Sequence, residues 1–272
     1  YNLVNGTVTY NGTANITPKS LTVTAGVQTK TYDGTTTVTS NTAYNVTGLV
    51  GNETISSVTL AYTDKNAGAG NKTIAVGNAV AGANTTLSNY NILYTNSTNS
   101  SITTKTLTVT ASAQTKTYDG GTGVASNTAF TTSGLVANET ISSVTLAYTD
   151  KNAGAGNKTI TVGNATGDAN TSVTNYLITY VNSTASTITP KSLTVTAGAQ
   201  TKTYDGTTTV ASNTAYNVSG LVGNETISSV VLAYTDKNAG AGNKTIAVTN
   251  ATGDSNTSVT NYNITYVNST AS

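Results

Sequence analysis

The chain has 272 residues, a formal net charge of +1 and only 8% charged residues, and it contains no His, Cys, Met or Trp. It therefore lacks the side chains that catalysis and metal binding use most often. So few charges form neither the basic patch typical of nucleic-acid binding nor a polybasic membrane patch, and no apolar run approaches the ~20 residues of a membrane helix. We expect no enzyme activity, cofactor, metal, nucleic-acid partner or membrane insertion.

One hexapeptide, Thr-Lys-Thr-Tyr-Asp-Gly, occurs at 29–34, 115–120 and 201–206, so that consecutive copies are 86 residues apart. Asp-Lys-Asn-Ala-Gly-Ala-Gly-Asn runs and Asn-Tyr pairs recur at the same spacing. This period exceeds the roughly 20–50 residues of solenoid and propeller repeats and suits a small domain. We predict three repeats, numbered one to three in chain order, at 19–104, 105–190 and 191–272, the third being truncated at its last strand.

Residues 1–18 end in Asn-Ile-Thr-Pro, which resembles the Thr-Ile-Thr-Pro sequence at 187–190. We therefore interpret 1–18 as the closing strands of a preceding module, which makes the chain a window on a longer array. The alternative is that this segment is donated to the sheet of a neighbouring subunit.

Taken in chain order, the segments 21–25, 58–62, 72–76 and 90–94 of repeat one alternate apolar and polar residues and are rich in Val, Ile, Thr and Tyr. Turn-forming residues such as Asp33-Gly34 separate them, and no segment has helical spacing. This pattern predicts half-buried strands, about seven in each repeat. The predicted fold is all-β, a tandem array of antiparallel immunoglobulin-like β-sandwich modules, with β-grasp-like modules as the alternative.

The core of each repeat should be centred on Tyr, because Tyr supplies most of the large aromatic side chains in the chain. In repeat one the predicted buried residues are Leu21, Tyr32, Leu60, Tyr62, Ile74, Tyr90 and Ile92.

The two prolines of the chain, Pro18 and Pro190, lie at the predicted junctions, and Lys-Ser-Leu-Thr-Val follows each of them. The last strand of one repeat therefore leads into the first strand of the next with almost no linker. Such a connection predicts rigid stacking into an extended rod, in which each repeat adds roughly 35–45 Å.

Three motifs have competing interpretations. Tyr-Asp-Gly suits either a carbohydrate-binding tip or, as we favour, a turn with Tyr packed at the end of the sandwich. The segment 64–68 begins like a calcium loop, but it contains Lys65 and lacks the acidic residue expected further on. Lys residues near acids and Asn supply the components of an intramolecular amide bond, although solvated edge-strand Lys is the simpler interpretation.

The glycosylation acceptor sequence Asn-x-Ser/Thr occurs 21 times among 33 Asn residues, about twice as often as the Ser and Thr content gives by chance. Four positions carry it in every repeat, and all four fall in predicted turns, where an attached glycan stays solvated. The predicted glycosylation sites are Asn52, Asn71, Asn84, Asn96, Asn138, Asn157, Asn170, Asn182, Asn224, Asn243, Asn256 and Asn268.

Several blocks occur in a fixed order in each repeat, among them Lys-x-Tyr-Asp-Gly and Ala-Tyr-Thr-Asp-Lys-Asn-Ala-Gly-Ala-Gly. Together they resemble the YDG-type repeat of bacterial surface adhesins, which is found in filamentous-haemagglutinin-like and autotransporter-like proteins. The resemblance implies a structural stalk or fibre segment of a large exported adhesin at the bacterial cell surface, and it brings no catalytic site.

The partners expected for such a segment are further copies of the repeat in a longer chain, other fibre chains or host and matrix glycans, together with covalent glycans. The alternative function is an adhesive module that binds carbohydrate or matrix through its own loops.

Overall fold

The fold is known from a computed structural model, which describes residue 12 and residues 14–272. Most of the predicted closing strands at 1–18 lie outside the described residues. The described part of the chain is built from β-strands and three short 3-10 turns and contains no α-helix. Within it, no helical segment has the length and apolarity needed to cross a bilayer.

Repeat one contains seven strands, the number that its alternating pattern predicts. A 3-10 turn at Leu87–Asn89 precedes the sixth strand. The strands are β1 Lys19–Ala25, β2 Thr29–Thr31, β3 Tyr44–Thr47, β4 Ile55–Tyr62, β5 Gly68–Ala81, β6 Tyr90–Thr95 and β7 Ser97–Thr103.

Repeats two and three follow the same order, with 3-10 turns at Val173–Asn175 and Val259–Asn261. Repeat two has β8 Lys105–Ala111, β9 Thr115–Thr117, β10 Phe130–Ser133, β11 Ile141–Tyr148, β12 Gly154–Gly167, β13 Tyr176–Val181 and β14 Ser183–Thr189. Repeat three has β15 Lys191–Ala197, β16 Tyr216–Ser219, β17 Ile227–Tyr234, β18 Ile246–Gly253 and β19 Tyr262–Val267.

Each complete repeat has two sheets, which in repeat one have the strand orders β3-β1-β6 and β2-β7-β5-β4. The pairs β1–β6 and β2–β7 are parallel, whereas β1–β3, β4–β5 and β5–β7 are antiparallel. The prediction of purely antiparallel sheets is therefore wrong. Side chains alternate with period two in both arrangements, so the alternation could not reveal the relative direction of two strands.

The core lies between strands of the two sheets, because β1 contacts β5. Leu21 and Val23 of β1 and Ile74 and Val76 of β5 are buried. Of the predicted core residues, Ile92 on the edge strand β6 is half-buried. The other six are buried, namely Leu21, Tyr32, Leu60, Tyr62, Ile74 and Tyr90.

The described residues divide into two compact units. The first unit contains the described residues up to Thr106 and, in addition, Thr174–Leu177 of repeat two. The second unit contains Leu107–Val173 and Ile178–Ser272, and thus most of repeat two and all of repeat three. Within the second unit, Pro190 is the one residue between β14 and β15, in agreement with the short connection predicted from the sequence.

Candidate functional site

In repeats one and two the Tyr-Asp-Gly motif forms a tight turn directly after a short strand, as its structural interpretation predicts. In repeat two, the Oδ1 atom of Asp119 accepts a hydrogen bond from the backbone N–H of Gly121 at 2.9 Å. Gly120 has a φ of 79°, in the region that glycine adopts without steric cost. The corresponding glycines of repeats one and three, Gly34 and Gly206, have φ values of 77° and 74°.

A lysine of the preceding strand stabilises this turn by donating hydrogen bonds to its carboxylate and to a backbone carbonyl. The Nζ atom of Lys116 donates to Asp119 Oδ1 at 2.7 Å and to the carbonyl oxygen of Gly121 at 2.7 Å, and it lies 5.5 Å from the ring centroid of Tyr148. Burial tends to raise the pKa of Asp119, but the hydrogen bonds from Lys116 and Gly121 outweigh it and lower that pKa. The carboxylate is thus paired within its own turn.

The tyrosine of the motif is buried against the next repeat. Tyr118 is 2% exposed, and its ring meets the ring of Tyr262 edge-on, with centroids 5.5 Å apart. Its hydroxyl donates a hydrogen bond to Oε1 of Glu225 at 2.5 Å. Tyr262 and Glu225 both belong to repeat three, so Tyr118 forms the centre of a contact between two repeats, which we call the joint.

Repeat three presents a preorganised surface to Tyr118. The hydroxyl of Tyr262 donates to Oε2 of Glu225 and accepts a hydrogen bond from the backbone N–H of Val222 at 2.9 Å. This arrangement leaves Oε1 of Glu225 for Tyr118. We call the surface formed by Val222, Glu225, Asn261 and Tyr262 the tail face of repeat three.

Asn261 supplies a second set of hydrogen bonds in the joint. It is 1% exposed, its Oδ1 accepts from the backbone N–H of Ala153 at 2.8 Å, and its Nδ2 donates to Oδ1 of Asn152 at 3.0 Å. The two repeats also approach each other closely at the Tyr-Asp-Gly turn, since a Cβ added to Gly120 would lie 2.9 Å from Cγ1 of Val222. Both repeats therefore contribute buried, hydrogen-bonded groups.

The first compact unit contains the same contacts between repeat one and the Thr174–Leu177 segment of repeat two. Tyr32 is 1% exposed and meets Tyr176 edge-on with centroids 5.5 Å apart. The Oδ1 atom of Asn175 accepts from the N–H of Ala67 at 2.8 Å, and its Nδ2 donates to Oδ1 of Asn66 at 3.0 Å. The joint is therefore a recurring feature of the array.

The sequence interpretation placed the motif tyrosine at the end of its own sandwich, and here the structure differs. Tyr204 of repeat three has the same local sequence but no further repeat against it, and it is 62% exposed. The contacts that bury Tyr32 and Tyr118 include the ring of a tyrosine of the following repeat, Tyr176 and Tyr262 respectively.

Sequence reasoning placed Tyr90 in the core but gave no role to the asparagines of the recurring Asn-Tyr pairs, of which Asn175 and Asn261 accept hydrogen bonds from the preceding repeat. Their signal was that they repeat in every module although no Ser or Thr follows two residues after the Asn of Asn89, Asn175 or Asn261.

The pKa of Tyr118 makes the joint sensitive to alkali. Burial and then the Glu225 carboxylate raise this pKa to about 12, whereas the pKa of an unfolded tyrosine is about 10. Because the folded state favours the neutral hydroxyl, the corresponding stabilisation is complete below pH 10 and should be lost as the pH rises through 12. We expect the free energy of unfolding to fall over this interval in denaturant titrations.

The matched control is Tyr118→Phe, which keeps the ring and removes the titrating group. All other tyrosines titrate in both proteins, so the difference between the two pH profiles reports on Tyr118. Parallel profiles from neutral pH to pH 12 would contradict the assignment.

The candidate calcium loop is an internally paired turn. The Oδ1 atom of Asp64 accepts from the backbone N–H of Asn66 at 2.9 Å, and its other oxygen pairs with Lys72. The hydrogen bonds from Asn66 and Lys72 lower the pKa of Asp64. Across residues 12 and 14–272, no three His, Cys, Asp or Glu side chains cluster in a way that could hold a metal ion.

All twelve predicted glycosylation sites are exposed. The prediction that they lie in turns is wrong for Asn71 and Asn157, which lie within β5 and β12. These strands begin early, because Gly68 pairs with Ile102 of β7 and Gly154 pairs with Ile188 of β14. At one of the four recurring positions the side-chain oxygen accepts a backbone hydrogen bond at 3.2 Å, although the residue remains exposed. The residues at this position are Asn96, Asn182 and Asn268.

A family model described as the YDG domain matches three consecutive segments of the chain, residues 17–99, 103–185 and 189–271. The chain belongs to the YDG domain family. Searches of curated proteins and of solved structures returned no match. The tyrosine, aspartate and glycine of the motif discussed above lie within each of the three YDG domains.

Proposed function

We propose that this chain is a structural stalk segment of a large exported bacterial surface adhesin. The observation that carries the proposal is the joint, in which Tyr118 and Asn261 are 2% and 1% exposed between repeats two and three. Buried and directional contacts hold repeats two and three in one orientation, which a load-bearing spacer requires. Charged side chains in the turns form ion pairs, as Lys116 does with Asp119, and so leave few unpaired charged groups at the surface of these turns.

We also propose that the two sheets of each YDG domain pack face to face as a β-sandwich related to the immunoglobulin class, with mixed rather than antiparallel sheets. Support comes from seven strands in two sheets, and from buried residues on both of the contacting strands β1 and β5. Stacking of such modules along one axis gives the proposed rod.

Small-angle scattering of the full chain tests the stalk. A rod gains roughly 35–45 Å of maximum dimension for each repeat. The double variant Tyr118→Ala, Asn261→Ala should broaden the distribution of dimensions, because it removes both parts of the joint between repeats two and three. The control Tyr204→Ala changes an exposed tyrosine and should leave the scattering profile unchanged. A compact three-repeat particle would exclude the stalk.

The stalk is further proposed to carry covalent glycans on its exposed acceptor asparagines. A chain with 8% charged residues has little electrostatic repulsion between sheet edges, and hydrated sugars would keep neighbouring copies apart. Intact-mass and peptide mass spectrometry of protein from its native source should find saccharide at the four recurring positions, represented by Asn52, Asn71, Asn84 and Asn96. Unmodified asparagine at all four positions would remove this part of the proposal.

A further inference from the structure

Two tyrosines of consecutive repeats face each other inside the joint. Tyr118 of repeat two and Tyr262 of repeat three meet edge-on, with ring centroids 5.5 Å apart and an interplanar angle of 80°. They are 2% and 6% exposed, and both belong to the second compact unit. The two rings are therefore held in contact while nearly all of their surface is shielded from solvent.

One carboxylate holds the hydroxyl ends of the two rings together. The Tyr118 hydroxyl donates to Oε1 of Glu225 at 2.5 Å, and the Tyr262 hydroxyl donates to Oε2 of the same residue. Because both oxygens belong to a single carboxylate, the two hydroxyls are close neighbours, and so are the ring carbons ortho to them. The carboxylate is also a base within hydrogen-bond reach of both hydroxyl protons.

The same pair of rings recurs in the first compact unit. Tyr32 and Tyr176 meet edge-on with the same centroid distance of 5.5 Å and the same interplanar angle of 80°, and they are 1% and 6% exposed. In both places the tyrosine of the Tyr-Asp-Gly motif meets the tyrosine of an Asn-Tyr pair. A reaction that depends on the contact of the two rings should therefore be open to both pairs.

Facing tyrosines that share a base are suited to oxidative coupling. Removal of one electron from a tyrosine makes its hydroxyl strongly acidic, so the electron leaves most readily where a hydrogen-bonded base accepts the proton. Glu225 is such a base for both rings of its pair. A tyrosyl radical carries unpaired electron density on the ring carbons ortho to oxygen, and two such radicals in contact combine at these carbons.

We propose that the pairs Tyr118–Tyr262 and Tyr32–Tyr176 are sites of oxidative cross-linking, at which a one-electron oxidant, such as a haem peroxidase intermediate or a peroxide-derived radical, creates a dityrosine bond. In the pair at Glu225, each ring gives one electron to the oxidant and its hydroxyl proton, through the carboxylate, to water. A carbon–carbon bond then forms between the ortho carbons, and the hydrogen on each of these carbons moves as a proton to the ring oxygen. The product keeps both hydroxyls and has lost two hydrogen atoms.

Such a bond would connect repeats two and three covalently. A small oxidant can approach the pair, because Tyr118 lines a surface concavity of about 500 Å³ together with Lys151, Asn152 and Asn256. The bond would close a long loop of the chain, and links of this kind stabilise a protein mainly by restricting its unfolded state. The inference rests on the geometry of the rings and the carboxylate and is independent of the proposed stalk role and its glycans.

Photo-oxidation of the folded full chain tests the proposal. A ruthenium(II) tris-bipyridyl complex with persulfate is the one-electron oxidant, used at low protein concentration and at a dose that modifies the exposed Tyr204. Peptide mass spectrometry should find Tyr118 linked to Tyr262, with the loss of two hydrogen atoms, in chains that stay monomeric on a denaturing gel. Oxidation in concentrated urea should abolish this preference. Modification of Tyr204 without any link between Tyr118 and Tyr262 in the folded chain would overturn the proposal.

Tyr262→Phe makes the test specific, because it keeps the ring and removes the hydroxyl that coupling requires. This variant should lose the link to Tyr118 completely and keep the link between Tyr32 and Tyr176, while circular dichroism checks its fold. Tyr204→Phe is the matched control at an exposed tyrosine and should keep both links.

Two further results would contradict the assignment. If Tyr118 in the Tyr262→Phe variant formed links to other tyrosines as often as it does to Tyr262 in the unchanged chain, the joint would not direct the coupling. Absence of the link between Tyr32 and Tyr176 from the unchanged chain would show that the contact of the two rings is not sufficient for the reaction.

Discussion

Replacing Tyr118 with Ala should lower the free energy of unfolding by about 3–5 kcal/mol, the range observed when large buried aromatic side chains are truncated. Tyr118 is 2% exposed, so the substitution removes nearly all of its contacts in the joint. It also leaves Oε1 of Glu225 without its hydrogen bond, and an unsatisfied charged group in a partly buried position is costly.

Chemical denaturation followed by far-ultraviolet circular dichroism measures this effect, and Tyr204→Ala is the matched control. The control changes the same residue of the same motif at a position that is 62% exposed. Its effect should stay within about 0.5 kcal/mol, as for most surface substitutions. Equal effects of the two variants would show that the motif tyrosine stabilises its own repeat and not the joint.

Tyr118→Phe separates the contribution of the ring to the free energy of unfolding from that of the hydroxyl. The ring contact with Tyr262 remains, and the hydrogen bond of the hydroxyl to Glu225 is lost. Hydrogen bonds to charged groups contribute about 1.5–3 kcal/mol, so this variant should retain part of the stability that Tyr118→Ala loses.

The strands were predictable from the sequence because their signal is local. Alternating Leu21 and Val23 identify β1, and the spacing of Ile74 and Val76 identifies β5, without reference to any other part of the chain. The direction of pairing was not predictable in this way. Whether β1 runs parallel or antiparallel to β6 depends on how the intervening residues return to the sheet, which no local pattern encodes.

For the candidate site too, local sequence could not predict which residues the joint buries. Tyr32, Tyr118 and Tyr204 lie in identical hexapeptides, yet the first two are 1% and 2% exposed and the third is 62% exposed. No property of the hexapeptide distinguishes them, because burial comes from distant segments, namely the following repeat and the strands β7 and β14 that pair beside Tyr32 and Tyr118. The turn itself was predictable, since Asp and Gly form it through their own backbone and side-chain preferences.

Replacing Leu60 with Ala should lower the free energy of unfolding by about 2–5 kcal/mol, the range for truncating a buried leucine. Leu60 is 7% exposed in β4, where it pairs with Val76 of β5, itself 7% exposed. Removal of its side chain leaves a cavity between strands whose backbones are fixed by ladder hydrogen bonds. The neighbouring side chains therefore cannot close it completely, and lost contacts add to the lost burial.

The control is Leu93→Ala, because Leu93 lies on β6 of the same repeat and is 62% exposed. Denaturant midpoints should shift for Leu60→Ala and remain within error for Leu93→Ala, and an unchanged midpoint for Leu60→Ala would mean that the buried face of β4 is assigned to the wrong side. Leu146 and Leu232 occupy the same position in repeats two and three and are 7% and 6% exposed. Because each repeat buries this leucine in its own core, all three substitutions should have similar effects, whereas only the joint variants should depend on which repeat follows.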